Sequence, residues 1–336
     1  MSCSMLVGHV THARCHVSIC VAGNGEKRRV EPIGARAMRT ALSSCGGVRR
    51  CGGVRRLFST NRLADAHAVL WDEKPPLTTD PYTPLLLRSS AEPDRPGLPE
   101  PEWPGPEHTE ARAAVAEIVA VRTRAIDRWL EKPSWPPVRT TRRQIVLLNA
   151  AYDTRAYRLG LGQAMRLFEV EADASVLARK REALASHGHK PRTKVVDVAA
   201  SPADPKECAA ALLAAGLDPR IPTRWVVEGG LIESGDAAAP NAASIFEMAS
   251  ELGSMPASGL AVQVLEPSWA AHLSQLGMPS PPASASLTSL DAALEACRRA
   301  GWRDKLTLRQ PDFAADFGRT PHEAFALMFA DADPDP

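Results

Sequence analysis

A doubly wound α/β fold is predicted for the chain from residue 63 onward, and three observations predict it. Short apolar runs recur at intervals: QIVLL (144–148), RLFEV (166–170), TKVVDV (193–198), RWVVE (224–228) and LAVQVL (260–265). Stretches with helical spacing lie between them. The runs are continuously apolar instead of alternating, which fits strands buried on both faces of a parallel sheet by flanking helices.

The elements follow in order. Residues 1–62 are set apart by charge, with eleven Lys or Arg against only Glu26 and Glu31. An Arg-rich, acid-poor leader of this kind resembles an organelle transit peptide, mitochondrial or plastid, and RRLFST (Arg55 to Thr60) resembles a mitochondrial matrix processing site. A plain basic tail and, less favoured, a nucleic-acid-binding arm stay open beside that reading. Five of the seven cysteines fall in this leader, so the body has no disulfide framework. His9, His12, Cys15, His16 and Cys20 lie close together but match no zinc spacing, and no metal is expected. The tandem CGGVRRCGGVRR (Cys45 to Arg56) is a local duplication too short to build a repeat fold.

Domain boundaries are therefore placed at 1–62 for the leader and 63–336 for the folded body. WDEKPPLTTDPYTPLLLRSS (71–90) is expected to be ordered; six prolines between Pro93 and Pro106 then exclude helix and central strand. Val115, Ile118, Val119, Ile126, Trp129 and Leu130 recur at helical spacing and predict one helix over Glu110 to Lys132, ended by Pro133. Further helices are expected over Ser175 to His187, Pro205 to Ala215, Ala242 to Leu252 and Leu290 to Ala300. Two closing strands are expected near Lys305 to Leu308 and Phe325 to Phe329, beyond a second proline-rich loop, Met278 to Ser286.

In such a sheet a ligand sits at the carboxyl ends of the strands, and an acid about 20 positions past the first turn accepts ribose hydroxyls. Glu171 lies 22 positions after Asn149 and ends the second run. A carboxylate suits that task because it offers two acceptors to two vicinal donors. A second reading stays open, in which Glu169, Glu171 and Asp173 are the solvated start of the next helix, where acids favour the dipole.

Several segments, in order, resemble one family. DPYTPLLL (80–87), VRTRAIDRWL (121–130), QIVLLNAAYDTRAYRL (144–159), FEVEADASVLARKREAL (168–184), PTRWVVEGGLIES (222–234), AGWRDKL (300–306) and DFGR (316–319) are similar to the leucine carboxyl methyltransferase family. The resemblance implies a class I methyltransferase fold, Rossmann-like, with a seven-stranded, mainly parallel sheet and an N-terminal helical cover. It implies S-adenosyl-L-methionine as cofactor and O-methyl transfer to a carboxylate or hydroxyl, on a small molecule or a peptide terminus. By position, Arg122 would meet the methionyl carboxylate and Asn149 and Ala151 would approach the cofactor with their backbone. Glu171 would hold the ribose, Asp197 and Val198 would lie near the adenine, and Glu228 would lie near the amino group and sulfonium. Asp153 and Arg155 are read as fixing the loop rather than as chemical groups. The histidines of the body are scattered without pattern and are read as surface or packing residues.

The chain departs from the family where glycine is usual. Asn149 and Ala151 stand in a turn normally written Gly-Ala-Gly, and a positive φ there would cost an L residue about 1 kcal/mol, less for Asn than for Ala. Gln263 stands where relatives tend to have an acid, and the segment after Glu228 lacks a bulky aromatic. A methyltransferase fold that binds without catalysing therefore stays open, as does, more remotely, an NAD-dependent oxidoreductase. A formal net charge of +1 gives no pull toward nucleic acid or anionic membrane, and no apolar run reaches the roughly 20 residues that span a bilayer. Neither is expected as a partner, and localisation follows the leader: mitochondrial if it is an import signal, otherwise cytoplasmic.

Overall fold

The computed structural model describes residues 76–90, 109–131, 142–162, 164–228, 242–253, 255, 257–277, 289–309, 316–319 and 321–332. The basic leader, both proline-rich loops and the segment after Glu228 lie outside the described residues. The leading elements are α1 (Thr83–Ser90) and α2 (Thr109–Glu131). The alternating core follows: β1 (Arg143–Leu148), α3 (Arg155–Arg158), β2 (Met165–Glu171), α4 (Ala174–Ser186), β3 (Lys194–Ala199), α5 (Pro205–Ala214) and β4 (Thr223–Val227). Last come α6 (Ala242–Leu252), β5 (Gly259–Leu265), α7 (Pro267–Gln275), α8 (Leu290–Arg299), β6 (Trp302–Arg309) and β7 (Phe325–Ala332).

The seven strands form one sheet in the order β3-β2-β1-β4-β5-β7-β6. All pairings from β3 to β5 are parallel, and β7 runs antiparallel between β5 and β6. The doubly wound expectation is met. The direction of winding reverses between β1 and β4, so their carboxyl ends bound the crevice where such sheets bind ligands.

Alternate residues of each strand feed two apolar layers. Ile145, Leu147, Leu167, Val226 and Ala261 pack with α2 and α4, while Val146, Leu148, Phe168, Trp225 and Val262 pack with α5, α6 and α8. Local chemistry sets where helices begin: Asp173 accepts from Ser175 N–H, Asp204 from Glu207 N–H with Pro205 in the first turn, and Ser289 from Ala292 N–H.

The expected helices appear within a residue or two. Three elements were not foreseen: α1, α3 and α7, short helices whose apolar patterns span too few turns to show a period. The closing strands also run further than expected, to 302–309 and 325–332, because pairing across the β6–β7 ladder extends order into polar residues.

Candidate functional site

The turn after β1 decides whether a ligand can approach. Asn149 and Ala151 both have left-handed backbones, with φ of 54° and 39°. The turn does have the geometry that glycine serves, and the chain adopts it with side chains present. One long-range bond and one local bond hold it there: Ala150 N–H donates to Val170 O at 2.9 Å, and Asp153 N–H donates to Ala150 O at 2.7 Å. Glu171, at the end of the neighbouring β2, accepts from Ala151 N–H at 3.2 Å and from Ala172 N–H at 3.0 Å with its two oxygens. Each oxygen keeps a further lone pair, so the carboxylate can still accept two ligand hydroxyls. Burial raises the Glu171 pKa against the pull of those N–H groups. Tyr152, by contrast, is buried among core residues, which makes it packing.

Beneath this turn lies a buried ionic network built mostly from the segments that carry the family resemblance. Helix α2 is buried around most of its girth, so its polar residues Arg122 and Asp127 must find partners inside. Arg155, fully buried, donates from Nε to Asp127 at 2.7 Å, from Nη1 to Asp153 at 2.7 Å and from Nη2 to Glu228 at 3.0 Å. Arg158 pairs with Asp127 and reaches Asp80 at 3.8 Å, while Asp80 accepts from the Thr154 and Thr83 hydroxyls. Arg122 Nε lies 3.1 Å from Glu228, and its Nη1 donates to Gln263 Oε1 at 2.7 Å.

Burial opposes charge on Arg155 most strongly, yet Asp153, Glu228 and Asp127 together raise its pKa. Burial likewise opposes ionisation of Glu228, but Arg155 and Arg122 draw its pKa down to about 2. Both groups are therefore charged at neutral pH. The network holds four carboxylates (Asp80, Asp127, Asp153, Glu228) against three guanidiniums (Arg122, Arg155, Arg158). Lys180 Nζ adjoins it, donating to the Asp153 backbone O at 2.9 Å and pairing with the buried Glu169. Asp153 also accepts from the Arg155 backbone N–H at 2.7 Å, which ties the loop after β1.

The seven residues singled out from the sequence divide into three places. Asn149, Ala151 and Glu171 meet at the β1 and β2 ends, and Arg122 meets Glu228 at the β4 end. Asp197, paired with Glu169 in the β2–β3 register, turns to α4, where Arg181 Nη2 donates to it at 2.7 Å. Val198 points to the opposite face and is buried in the layer of α5. One further cluster has no signature along the chain: His272 and His322 stack with ring centroids 4.0 Å apart, both against Trp269. Fifty positions separate them, and only the antiparallel β5–β7 pairing brings α7 beside the start of β7. Among the described residues no cluster of three or more metal-ligating side chains occurs.

Strand order and pairing direction define a doubly wound α/β protein. The sequence pattern of leucine carboxyl methyltransferases matches residues 61–232, and the chain belongs to that family. A Mycobacteroides abscessus protein provisionally named an S-adenosyl-L-methionine-dependent methyltransferase is 33% identical over 208 residues, covering 61% of this chain and 62% of that protein. A Streptomyces coelicolor protein with the same provisional name is 38% identical over 147 residues, covering 42% and 46%. The chain thus spans less than two thirds of the length of these relatives. Magnesium protoporphyrin IX methyltransferase of Synechocystis, solved with bound S-adenosylhomocysteine, is 9% identical, covers 66% of this chain and 85% of that one, and superposes with a TM-score of 0.41. The fold assignment rests on the strand order and not on so loose a superposition.

Proposed function

We propose that the protein is an S-adenosyl-L-methionine-dependent O-methyltransferase whose acceptor is a carboxylate or hydroxyl of a small molecule or a peptide terminus. The observation that supports it best is the left-handed Asn149–Ala151 turn tied to Glu171, which keeps backbone and carboxylate in the arrangement an adenosyl ribose requires. In this reading Glu171 accepts the ribose hydroxyls, Arg122 meets the methionyl carboxylate, and Glu228 faces the ammonium. Asp197 and Val198 point to opposite faces of β3, Asp197 toward Arg181 and Val198 into the α5 layer, so their side chains do not enclose one adenine together.

The bound cofactor supplies an electrophilic methyl group, so the protein's own work is to orient the acceptor and exclude water. A carboxylate acceptor needs no general base; a hydroxyl of high pKa does. Calorimetry with S-adenosylhomocysteine tests the reading, with micromolar binding expected. No heat and no thermal shift would remove it. For the leader we propose mitochondrial import, tested by fractionating cells that express the full chain beside one lacking residues 1–62.

A further inference from the structure

Gln263 is 3% exposed on β5, one position past the Val227–Val262 pair, and therefore beside Glu228 at the end of β4. Its Oε1 accepts from Arg122 Nη1 at 2.7 Å. That bond fixes which way the amide faces, because a flip would turn its NH2 against the guanidinium. The Nε2 donor consequently points away from Arg122, and it is buried with no hydrogen-bond partner among the described residues. Glu228 is not its acceptor: one Glu228 oxygen is taken by Arg122 and Arg155 Nη2, the other by Arg155 Nη1. A buried amide N–H left unmet is costly, and its persistence calls for an acceptor that arrives with a ligand.

We propose that Gln263 is a second donor, beside Arg122, to the carboxylate of an amino-acid-bearing nucleoside thioether or sulfonium; this rests on the adenosyl reading above. A carboxylate is acceptor-only and can take the amide N–H on one oxygen and the guanidinium on the other. Gln263 also does what an acid at this position could not. It holds Arg122 by a neutral oxygen beside the Arg122–Glu228 pair, and it adds no negative charge to repel the incoming anion.

The test is calorimetry on the full chain with two ligands: S-adenosylhomocysteine, and 5′-methylthioadenosine, which keeps the adenosine and thioether but has no carboxylate. Gln263→Met is expected to weaken S-adenosylhomocysteine roughly tenfold and Gln263→Glu by about thirtyfold or more, the range for losing a charge-assisted bond. Methylthioadenosine affinity should stay within about threefold in both variants, since it makes no such bond. Unchanged S-adenosylhomocysteine affinity in either variant would overturn the proposal, as would equal loss of both ligands in the Met variant with a lowered melting temperature, which marks a purely structural role. Wild-type protein that binds methylthioadenosine as tightly as S-adenosylhomocysteine would overturn it while sparing the adenosyl reading. Wild-type protein that binds neither would overturn both.

Discussion

Ala151→Gly probes the turn on which the site depends. Ala151 sits at φ 39°, where its Cβ crowds the carbonyl, at about 1–2 kcal/mol for an L residue. Glycine removes that strain but frees the unfolded chain, which returns about 0.4–1 kcal/mol. The difference predicts a net gain of about 0.5–1 kcal/mol. For a domain of this size that is a rise in melting temperature of roughly 1–4 °C. Asn149, at φ 54°, tolerates the left-handed region better, so Asn149→Gly should gain less, near zero once the same entropy is subtracted. Differential scanning fluorimetry of the two single variants measures the order directly. The ligand arm runs in parallel, since losing the Cβ clears backbone approach and S-adenosylhomocysteine should bind no more weakly to Ala151→Gly than to wild type. A lower melting temperature for Ala151→Gly, or a larger gain at 149 than at 151, would refute the claim that this turn is held under strain by its neighbours.

Arg155→Met should cost about 3–5 kcal/mol in urea denaturation, because it leaves three buried carboxylates short of a cation; a loss under about 1 kcal/mol would contradict the network as described. The same pairing predicts acid lability. The Glu228 pKa is lower in the folded chain than its usual 4.5, so the unfolded chain binds more protons and stability falls as pH drops from about 4.5 toward about 2. Glu171→Ala should weaken S-adenosylhomocysteine by about a hundredfold through two lost hydroxyl acceptors, as read by calorimetry. Burial, and then His272, lowers the His322 pKa below its usual 6.5 while Glu323 opposes. The unfolded chain therefore takes up more protons just below that pH, so melting temperatures should fall as pH drops through 6.5, and His322→Gln should flatten that slope.

Legibility followed the range of the interactions. Apolar runs of strand length and helical spacing are local properties, and they placed the five parallel strands and the principal helices. Asp173, Asp204 and Ser289 cap helices through contacts within three residues, so they too can be read along the chain. Short α1, α3 and α7 span too few turns to show a period; Asp80 caps α1 locally, accepting from Tyr82 and Thr83 N–H, but it also takes the hydroxyl of Thr154, 74 positions away, and Trp269 of α7 is buried in the core that α2 joins.

By itself the sequence determined the alternation of elements, the doubly wound class, the reach from Asn149 to Glu171 and the family. Tertiary structure alone decided that an Asn-Ala-Ala turn would take a left-handed path, because the forces holding it come from Val170 and Glu171 on another strand. It also decided which of many arginines would meet which acids. Arg122 finds Gln263 across 141 positions and Arg155 finds Glu228 across 73, pairings fixed by which strand ends the fold brings together. Charge alone cannot choose among like partners. Burial and strand order can, because both fix distance and a buried ion is stable only beside the partner that geometry places there.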